Sequence, residues 1–292
     1  MKFVHTADWQ IGMKAARVGE AGARVREARL ESAVALIETA AEKGAEFLLV
    51  AGDTFEDNGV DRVLVQKVSD ILGSFPGPVY VIPGNHDPLV PGSVWEHPSW
   101  DSRANISILK SAEALEIPGG ALYPCPVMEK HSGADPTAWI DTSGAEGIKL
   151  GLAHGTVEGI QTEEPDYPVP LDAAERLGLD YLALGHWHSL AEFSGAGGTV
   201  RTAYCGTHEP TRFGERDSGQ ALLVTIEPGG GAPVLERIRT GRLEWLSMEE
   251  ELSVEGDLER VRREVEQVES PGDKLIRLVL KGLVRLREAG EL

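Results

Sequence analysis

Short apolar segments alternate with longer amphipathic segments along the first part of the chain. The segments at 2–6, 47–50 and 79–82 are rich in β-branched and aromatic residues, which is typical of strands. Between them, apolar residues recur every three or four positions over 28–43 and 60–73, which predicts two helices. This order of strand, helix, strand, helix and strand indicates a parallel sheet with right-handed crossovers.

A second group of strands is predicted after a long stretch in which proline and glycine interrupt the periodicity. Apolar segments at 148–153 and 179–184 have the length of buried strands. Three further β-rich segments follow at 199–204, 220–227 and 233–239, the last two separated by a run of glycines. The strand-forming part of the chain is therefore expected to extend to about residue 240.

The chain changes in character after Trp245. A run of three glutamates begins an acidic stretch, a charged helical pattern follows over 256–268, and 274–283 alternates like a strand. We therefore divide the chain into a main domain of residues 1–244 and a C-terminal segment of residues 245–292.

Composition is that of an ordinary globular protein. The chain has 292 residues, of which 41% are hydrophobic and 26% are charged. No apolar run approaches the ~20 residues that a membrane span requires, and the first residues lack a secretion signal. We therefore expect a cytoplasmic protein with no membrane partner. Cys125 and Cys205 match no zinc or disulfide pattern, so we expect two reduced, packed thiols.

The charge is strongly acidic, with 28 Lys and Arg against 47 Asp and Glu and a net charge of −19. Such a charge repels polyanions unless cations or a partner offset it, but it does not oppose a metal site. Residues 12–29 carry a local excess of basic side chains, most of which we interpret as a solvated helix face. Lys14 and Arg17 follow the first motif closely enough to meet a phosphate backbone. The basic residues are Lys14, Arg17, Arg24, Arg26 and Arg29.

Polar side chains with metal-binding chemistry follow five of the predicted strands. They are Asp8 and Gln10, Asp53, Asn85 with His86 and Asp87, His154, and His186 with His188. Because α/β sheets commonly bind ligands at the carboxyl ends of their strands, we expect these residues to converge. Oxygen and imidazole donors without cysteine suit a hydrolytic site for Mn²⁺, Fe or Zn²⁺, in which one carboxylate can bridge two ions.

Some of these residues have a simpler interpretation. The turn at 85–87, taken alone, is equally compatible with a capped turn that carries a surface imidazole, and only the donors at other strand ends favour a metal site. We interpret His5, inside the first strand, as a packed structural residue. Packing is also favoured over base stacking for Trp95, Trp100 and Trp139.

The motifs together resemble those of the calcineurin-like metallophosphoesterases. The matching segments, in chain order, are Asp8-Trp9-Gln10, Gly52-Asp53, Gly84-Asn85-His86-Asp87, His154 and Gly185-His186-Trp187-His188. Within that superfamily the chain is similar to the SbcD-type DNA repair exonucleases in its opening segment 5–9, in the segment 50–55 and in its β-rich stretch after the last histidine pair. The resemblance covers about residues 1–240. It implies an α/β fold, a two-sheet sandwich flanked by helices.

The resemblance also implies roles for the individual residues. The first of two divalent ions, with Mn²⁺ the leading candidate, would be held by Asp8, Asp53 and His188. The second ion would be held by Asp53, Asn85, His154 and His186. His86 would act beside the scissile phosphate, with Asp87 orienting its ring, and the nucleophile would be a hydroxide activated by the two ions.

One position departs from the family pattern. Where the first motif of the family has a histidine ligand, this chain has Gln10, whose amide oxygen is a neutral and weaker donor than imidazole. We therefore expect the first ion to be bound loosely, so that activity requires excess metal. The alternative is that Gln10 reaches the ion through a water molecule at little cost.

The function that the resemblance implies is hydrolysis of DNA phosphodiester bonds, as an exonuclease or endonuclease in DNA repair. Family members work as homodimers with an SMC-like ATPase similar to SbcC, which would present DNA to an acidic chain. Residues 245–292 are too few for the complete capping domain of the family, so a truncated cap is expected. The acidic charge favours a rival interpretation, a phosphodiesterase or phosphatase for a small molecule or a protein. Another rival interpretation is a scaffold protein without catalytic activity that only docks partners, but it would leave the retained metal-binding residues unexplained.

Overall fold

The computed structural model describes residues 1–160, 166–195, 197–254 and 256–282. The strands are, in chain order, β1 (Lys2–Thr6), β2 (Phe47–Ala51), β3 (Val79–Ile82), β4 (Ile106–Ile108), β5 (Leu115–Ile117), β6 (Gly120–Pro124), β7 (Ile148–His154), β8 (Tyr181–Gly185), β9 (Leu190–Ser194), β10 (Val200–Cys205), β11 (Gln220–Thr225), β12 (Val234–Arg239), β13 (Glu244–Leu252) and β14 (Lys274–Gly282). The helices are α1 (Gly22–Glu42), α2 (Arg62–Gly73), α3 (Ala173–Arg176) and α4 (Asp257–Glu266), with 3₁₀ turns at Ala16–Ala21, Val94–Glu96 and Pro271–Asp273.

Two six-stranded sheets form the main part of the molecule. The first has the order β12-β11-β1-β2-β3-β4. In it β1 to β4 run parallel, β11 pairs antiparallel with β1, and β12 pairs antiparallel with β11. The second has the order β5-β6-β7-β8-β10-β9, with β6, β7, β8 and β10 parallel. The predicted parallel β-α-β-α-β start is confirmed, because α1 and α2 provide the two crossovers between β1, β2 and β3.

The two sheets pack face to face around an apolar layer. Phe3 and Phe47 of the first sheet stack at 4.9 Å between ring centroids, and Leu150 and Leu152 of the second sheet belong to the same cluster. The opposite face of the first sheet packs against α1 and α2 through residues such as Leu36. These layers make the predicted sandwich with flanking helices.

Helix α1 begins earlier than the apolar spacing predicts. The structure places its first residue at Gly22 rather than at 28, and Val25 in the added turn is fully buried. The residues of that turn include alanine, arginine and glutamate, which favour helix even where the apolar period is weak. Helix α1 also carries Arg29, whose contacts are described below.

Other predictions about packing hold. Cys125 and Cys205 are free and buried. Trp95 and Trp100 are buried and lie 5.6 Å apart between ring centroids, so they belong to the core.

No helix among the residues that the structure describes is long and apolar enough to cross a membrane.

The chain folds into two units, each with its own packing. The first comprises Met1–Thr211 and Glu215–Arg242, and the second comprises Arg212–Gly214 and the described residues from Leu243 onward. In the second unit, β13 and β14 pair in parallel from Glu244 opposite Lys274 to Leu252 opposite Gly282, and α4 connects them. The predicted strand at 274–283 is found up to Gly282, and its last residue lies outside the described residues.

Candidate metal centre

The carboxyl ends of β1, β2, β3, β7 and β8 meet at one edge of the sandwich. Hydrogen bonds join the two sheets there: Nδ1 of His154 lies 2.8 Å from the carbonyl oxygen of Ala51, and the backbone N–H of His186 donates to both carboxylate oxygens of Asp8 at 3.0 and 3.1 Å. Residues that the sequence separates by more than a hundred positions are therefore direct neighbours.

The backbone at this edge adopts conformations that cost energy. Asp8, Gln10, Asp53 and His186 have φ angles of 53°, 47°, 49° and 106°, although none of them is glycine. Side chains with a Cβ are uncommon in this region, and such strain is characteristic of functional sites whose surroundings hold the chain in place.

Two buried carboxylates and an imidazole form the centre of the cluster. Asp8, Asp53 and His154 are at most 1% exposed, and each offers one ligand atom within 4.8 Å of the others. Burial raises the pKa of Asp8 to about 6. Burial also raises the pKa of Asp53, but attraction to His154 outweighs it and holds the pKa below its usual range. Carboxylates buried side by side need positive charge, and a divalent cation supplies it.

The four residues expected to hold the second ion lie close together. Oδ1 of Asn85 is 2.8 Å from Nε2 of His154 and 3.1 Å from Nδ1 of His186, and Oδ1 of Asp53 is 3.4 Å from the same Nε2. Burial lowers the pKa of His154, but the charge of Asp53 raises it to about 9, whereas burial lowers the pKa of His186 to about 4. Mixed oxygen and imidazole donors at these distances fit a divalent transition-metal ion.

The residues expected to hold the first ion share the Asp8 side of the cluster. Asp8 and Asp53 belong to the three-residue group, and His188 is near enough for its charge to lower the pKa of Asp8. Nδ1 of His188 is 3.0 Å from Oε1 of Glu215 and 2.9 Å from Oγ1 of Thr211. Its pKa is lowered by burial but raised overall by the hydrogen bond to Glu215. Sequence reasoning did not identify Glu215, whose sequence context carries no motif.

Gln10 lies in the cluster as a hydrogen-bond donor. Its side chain is 3% exposed, and its Nε2 atom donates to Oδ2 of Asp53 at 3.0 Å. An amide N–H group cannot serve as a metal ligand, because its lone pair is delocalised into the carbonyl. In this arrangement Gln10 contacts the carboxylate expected to bridge the ions.

His86 and Asp87 point in different directions. The ring of His86 is 41% exposed, with Nε2 4.0 Å from Oδ2 of Asp53 and Nδ1 2.9 Å from the carbonyl oxygen of Glu56. The prediction that Asp87 orients this ring is wrong: its carboxylate is fully buried and accepts backbone N–H donors from Phe55 and Gly84. Burial raises the pKa of Asp87 to about 8. Asp87 therefore shapes the turn, and a backbone carbonyl holds the ring.

Arg29 is one of the five basic residues of 12–29, most of which the sequence analysis assigned to a solvated helix face, and it is an exception to that assignment. It is 1% exposed and donates to the carbonyl oxygens of Trp9, Glu209 and Pro210. The ring of His208 lies 5.1 Å from that of Trp9, and its Nε2 is 2.8 Å from the carbonyl oxygen of Arg29. These contacts hold the backbone next to Asp8 and Gln10. Only the fold reveals them, because His208, Glu209 and Pro210 are about 180 positions from Arg29.

His5 has the structural role that the sequence suggested. It is fully buried, with Nδ1 2.9 Å from the hydroxyl of Tyr181 and Nε2 3.1 Å from the carbonyl oxygen of Leu184. Burial lowers its pKa to about 3, so the ring is neutral at physiological pH. It ties the first sheet to the second just beneath the metal-binding edge.

Comparison with known proteins agrees with this geometry. The family model of the calcineurin-like phosphoesterases matches residues 1–190, and the chain belongs to this family. An uncharacterized metallophosphoesterase of Bacillus subtilis, YhaO, is 26% identical over 204 residues, which cover 64% of this chain and 48% of that protein. The chain thus spans about half the length of this curated relative.

Two solved structures share the fold. The purple acid phosphatase PPD1 from yellow lupin seeds is 13% identical, with a TM-score of 0.51 over 82% of this chain and 51% of that one. TT1561 of Thermus thermophilus is 11% identical, with a TM-score of 0.50 over 78% of this chain and 98% of that one. At these identities the two structures show the fold alone: the chain has the calcineurin-like fold of the family to which it belongs, and the residues at its strand ends fit divalent metal ions.

Proposed function

We propose that this metallophosphoesterase hydrolyses phosphodiester bonds of DNA, as an exonuclease or endonuclease in DNA repair. One observation carries the proposal: the exposed ring of His86 stands 4.0 Å from a buried carboxylate, at the edge where the metal-binding residues converge. A phosphodiester in a polymer can reach such a ring without entering an enclosed cavity. The SbcD-like segments at 5–9 and 50–55, which frame Asp8 and Asp53, favour DNA as the polymer.

The residues of the site have two tasks, binding the metal ions and assisting the chemistry at the phosphate. Two divalent ions, with Mn²⁺ the leading candidate, would be held by Asp8, Asp53 and His188 on one side and by Asp53, Asn85, His154 and His186 on the other. Such ions neutralise charge on a phosphoester and activate water. The imidazole of His86 donates a hydrogen bond to a phosphate oxygen or a proton to the leaving oxygen, and the carbonyl of Glu56 orients it.

DNA has to approach a chain whose net charge is −19. We propose that an SMC-like ATPase similar to SbcC presents the DNA in the cytoplasm, that the chain works as a homodimer, and that residues 245–292 act as a partial cap. Lys14 and Arg17 are exposed and available for backbone phosphates. Gel filtration of the chain alone and with such an ATPase tests the assembly. Tight duplex binding by the isolated chain at 150 mM salt would contradict the need for a partner.

Cleavage of end-labelled DNA tests the activity. The purified chain is incubated with Mn²⁺ and single-stranded or duplex DNA, in parallel with a cyclic nucleotide and a phosphopeptide. We expect DNA to be degraded, and we expect EDTA, Asp53→Asn and His86→Ala to abolish or strongly reduce the reaction. If the DNA stays intact while either of the other substrates is hydrolysed, the nuclease proposal is wrong.

A second candidate is a phosphodiesterase or phosphatase for a small molecule or a protein, using the same residues. The net charge of −19 favours it, because a small substrate or a basic protein is repelled less than DNA. The substrate comparison above separates the two candidates, since the metal-dependent chemistry is common to both.

A further inference from the structure

His188 is held by a carboxylate on the side of its ring that carries Nδ1. Oε1 of Glu215 is 3.0 Å from Nδ1, and Oγ1 of Thr211 is 2.9 Å from it. Glu215 is itself fixed, because its Oε2 accepts the backbone N–H of Thr211 at 2.8 Å and its Oε1 accepts the Thr211 hydroxyl. The carboxylate is 3% exposed, so water competes little for these bonds.

This arrangement selects one form of the imidazole. A carboxylate accepts hydrogen bonds, so Nδ1 of His188 must carry the proton and Nε2 keeps its lone pair. Metal-binding histidines are commonly oriented in this way, and a carboxylate partner makes the ring a stronger donor. His154 has a weaker partner on the corresponding side, the carbonyl oxygen of Ala51, and Nδ1 of His186 faces Asn85.

The stronger hydrogen-bond partner, the carboxylate of Glu215, belongs to a histidine that is expected to bind the first ion, for which Gln10 replaces the histidine ligand of the family. The charge of His188 lowers the pKa of Asp8, and the amide of Gln10 donates to Asp53, so both residues act on carboxylates expected to hold the first ion. An imidazole at position 10 would give this ion a second nitrogen donor. With glutamine there, the affinity of the first ion depends on Asp8, Asp53 and His188.

We propose that Glu215 is a positioning residue that fixes His188 as the nitrogen ligand of the first ion and thereby compensates for Gln10. The proposal rests on the two-ion centre of the proposed function. Thr211 assists by holding both the ring and the carboxylate. Neither residue contacts the substrate in this role; both act through the orientation of His188.

The test is a titration of the metal-free full chain with Mn²⁺, followed by calorimetry and by the electron paramagnetic resonance of bound manganese. In Glu215→Gln, which keeps the shape and loses the charge, we expect one of two ions to bind about 10–100-fold more weakly, with the other unchanged. Glu20→Gln, at an exposed position outside the centre, is the matched control and should bind both ions as the natural chain does.

The Gln10→His background tests the compensation. If a second imidazole relieves the dependence on His188, then Glu215→Gln costs less than tenfold in affinity when combined with Gln10→His. An equal loss in both backgrounds would overturn the compensation. Thr211→Val provides an independent measurement should Glu215→Gln fail to fold. It removes the hydroxyl that accepts a hydrogen bond from the Nδ1–H of His188, and it is expected to weaken the binding of one ion about threefold to tenfold.

The outcomes separate this proposal from the function on which it rests. If the natural chain binds no Mn²⁺, the two-ion centre and the proposed function fail together. If the natural chain binds two ions and neither Glu215→Gln nor Thr211→Val alters their affinities, only the positioning role is wrong.

Discussion

The side-chain amide of Gln10 donates a hydrogen bond to Oδ2 of Asp53, at 3.0 Å. The other oxygen of Asp53 accepts the backbone N–H of His86 at 2.8 Å. The carboxylate expected to bridge two ions is thus held from both sides by neutral donors. Its position is fixed by hydrogen bonds, while the first ion gains no imidazole from position 10.

Replacing Gln10 with histidine is expected to strengthen the binding of the first ion. Imidazole is a better ligand than an amide for Mn²⁺, Fe or Zn²⁺, so the Mn²⁺ concentration for half-maximal activity should fall by about tenfold. Hydrolysis of a chromogenic phosphodiester over a Mn²⁺ series measures this. An unchanged Mn²⁺ requirement, or two equally tight sites in the natural chain, would contradict the loose first site.

Replacing His86 separates chemistry from metal binding. The ring is exposed and Nε2 lies 4.0 Å from Asp53, so His86→Asn should lower kcat by about 10²–10⁴-fold, the usual worth of a general acid. Mn²⁺ stoichiometry measured by calorimetry should stay the same. His97→Asn, at a loop histidine bonded to Ser99, serves as the control and should retain activity. A loss of bound metal in His86→Asn would show that the residue is a ligand.

Much of the fold follows from local sequence patterns. Buried parallel strands such as β2 and β3 are continuous apolar runs, and their length and punctuation set their bounds within a residue or two. The proximity of Asp53 and Asn85 was also predictable, because they follow the neighbouring parallel strands β2 and β3. His154 follows β7 in the other sheet, so its place beside them came from the family resemblance, which implied the two-sheet sandwich.

What the sequence could not reveal depends on contacts between distant positions or on the direction of a turn. Glu215 and Arg29 have no motif, and each meets its partners only after the chain has folded. Asp87 follows His86 directly, which suggested a dyad. The turn instead sends one side chain into the core and the other to the surface. Adjacent residues share a face only where the backbone allows it.

Metal removal should lower the stability of the protein. Asp8 and Asp53 are buried beside each other, so a bound cation stabilises the folded state and the unfolded chain gains little. At a Mn²⁺ concentration of about 100 times its Kd, the gain is roughly 2.7 kcal/mol. Urea unfolding with Mn²⁺ and with EDTA measures it. Asp53→Asn should lose this gain, and Asp101→Asn, at an exposed position, should keep it.

Arg29 is expected to be essential for the backbone that carries Asp8 and Gln10. Its guanidinium donates to carbonyl oxygens of Trp9, Glu209 and Pro210. Arg29→Met leaves these acceptors without their donors and removes the cation beside the buried Glu209, a loss of about 3–5 kcal/mol in the free energy of unfolding. Urea unfolding compares it with Arg26→Met, whose exposed site should cost about 0.5 kcal/mol or less. Similar midpoints for the two variants would show that the hydrogen bonds of Arg29 do not stabilise this backbone.

The buried imidazole of His5 should make the protein sensitive to acid. Burial lowers its pKa from 6.5 to about 3, so between these values the unfolded chain binds a proton that the folded protein excludes. Stability is therefore complete above pH 6.5 and falls as the pH decreases toward 3. At pH 5 the loss is about 2 kcal/mol, since each pH unit is worth about 1.4 kcal/mol. Urea unfolding of the natural chain and of His5→Gln at pH 7.5 and pH 5 measures this contribution as the difference between the two losses. We expect the variant to lose about 2 kcal/mol less than the natural chain. Equal losses would contradict the prediction, because the other titrating groups are the same in both chains and cancel in the difference.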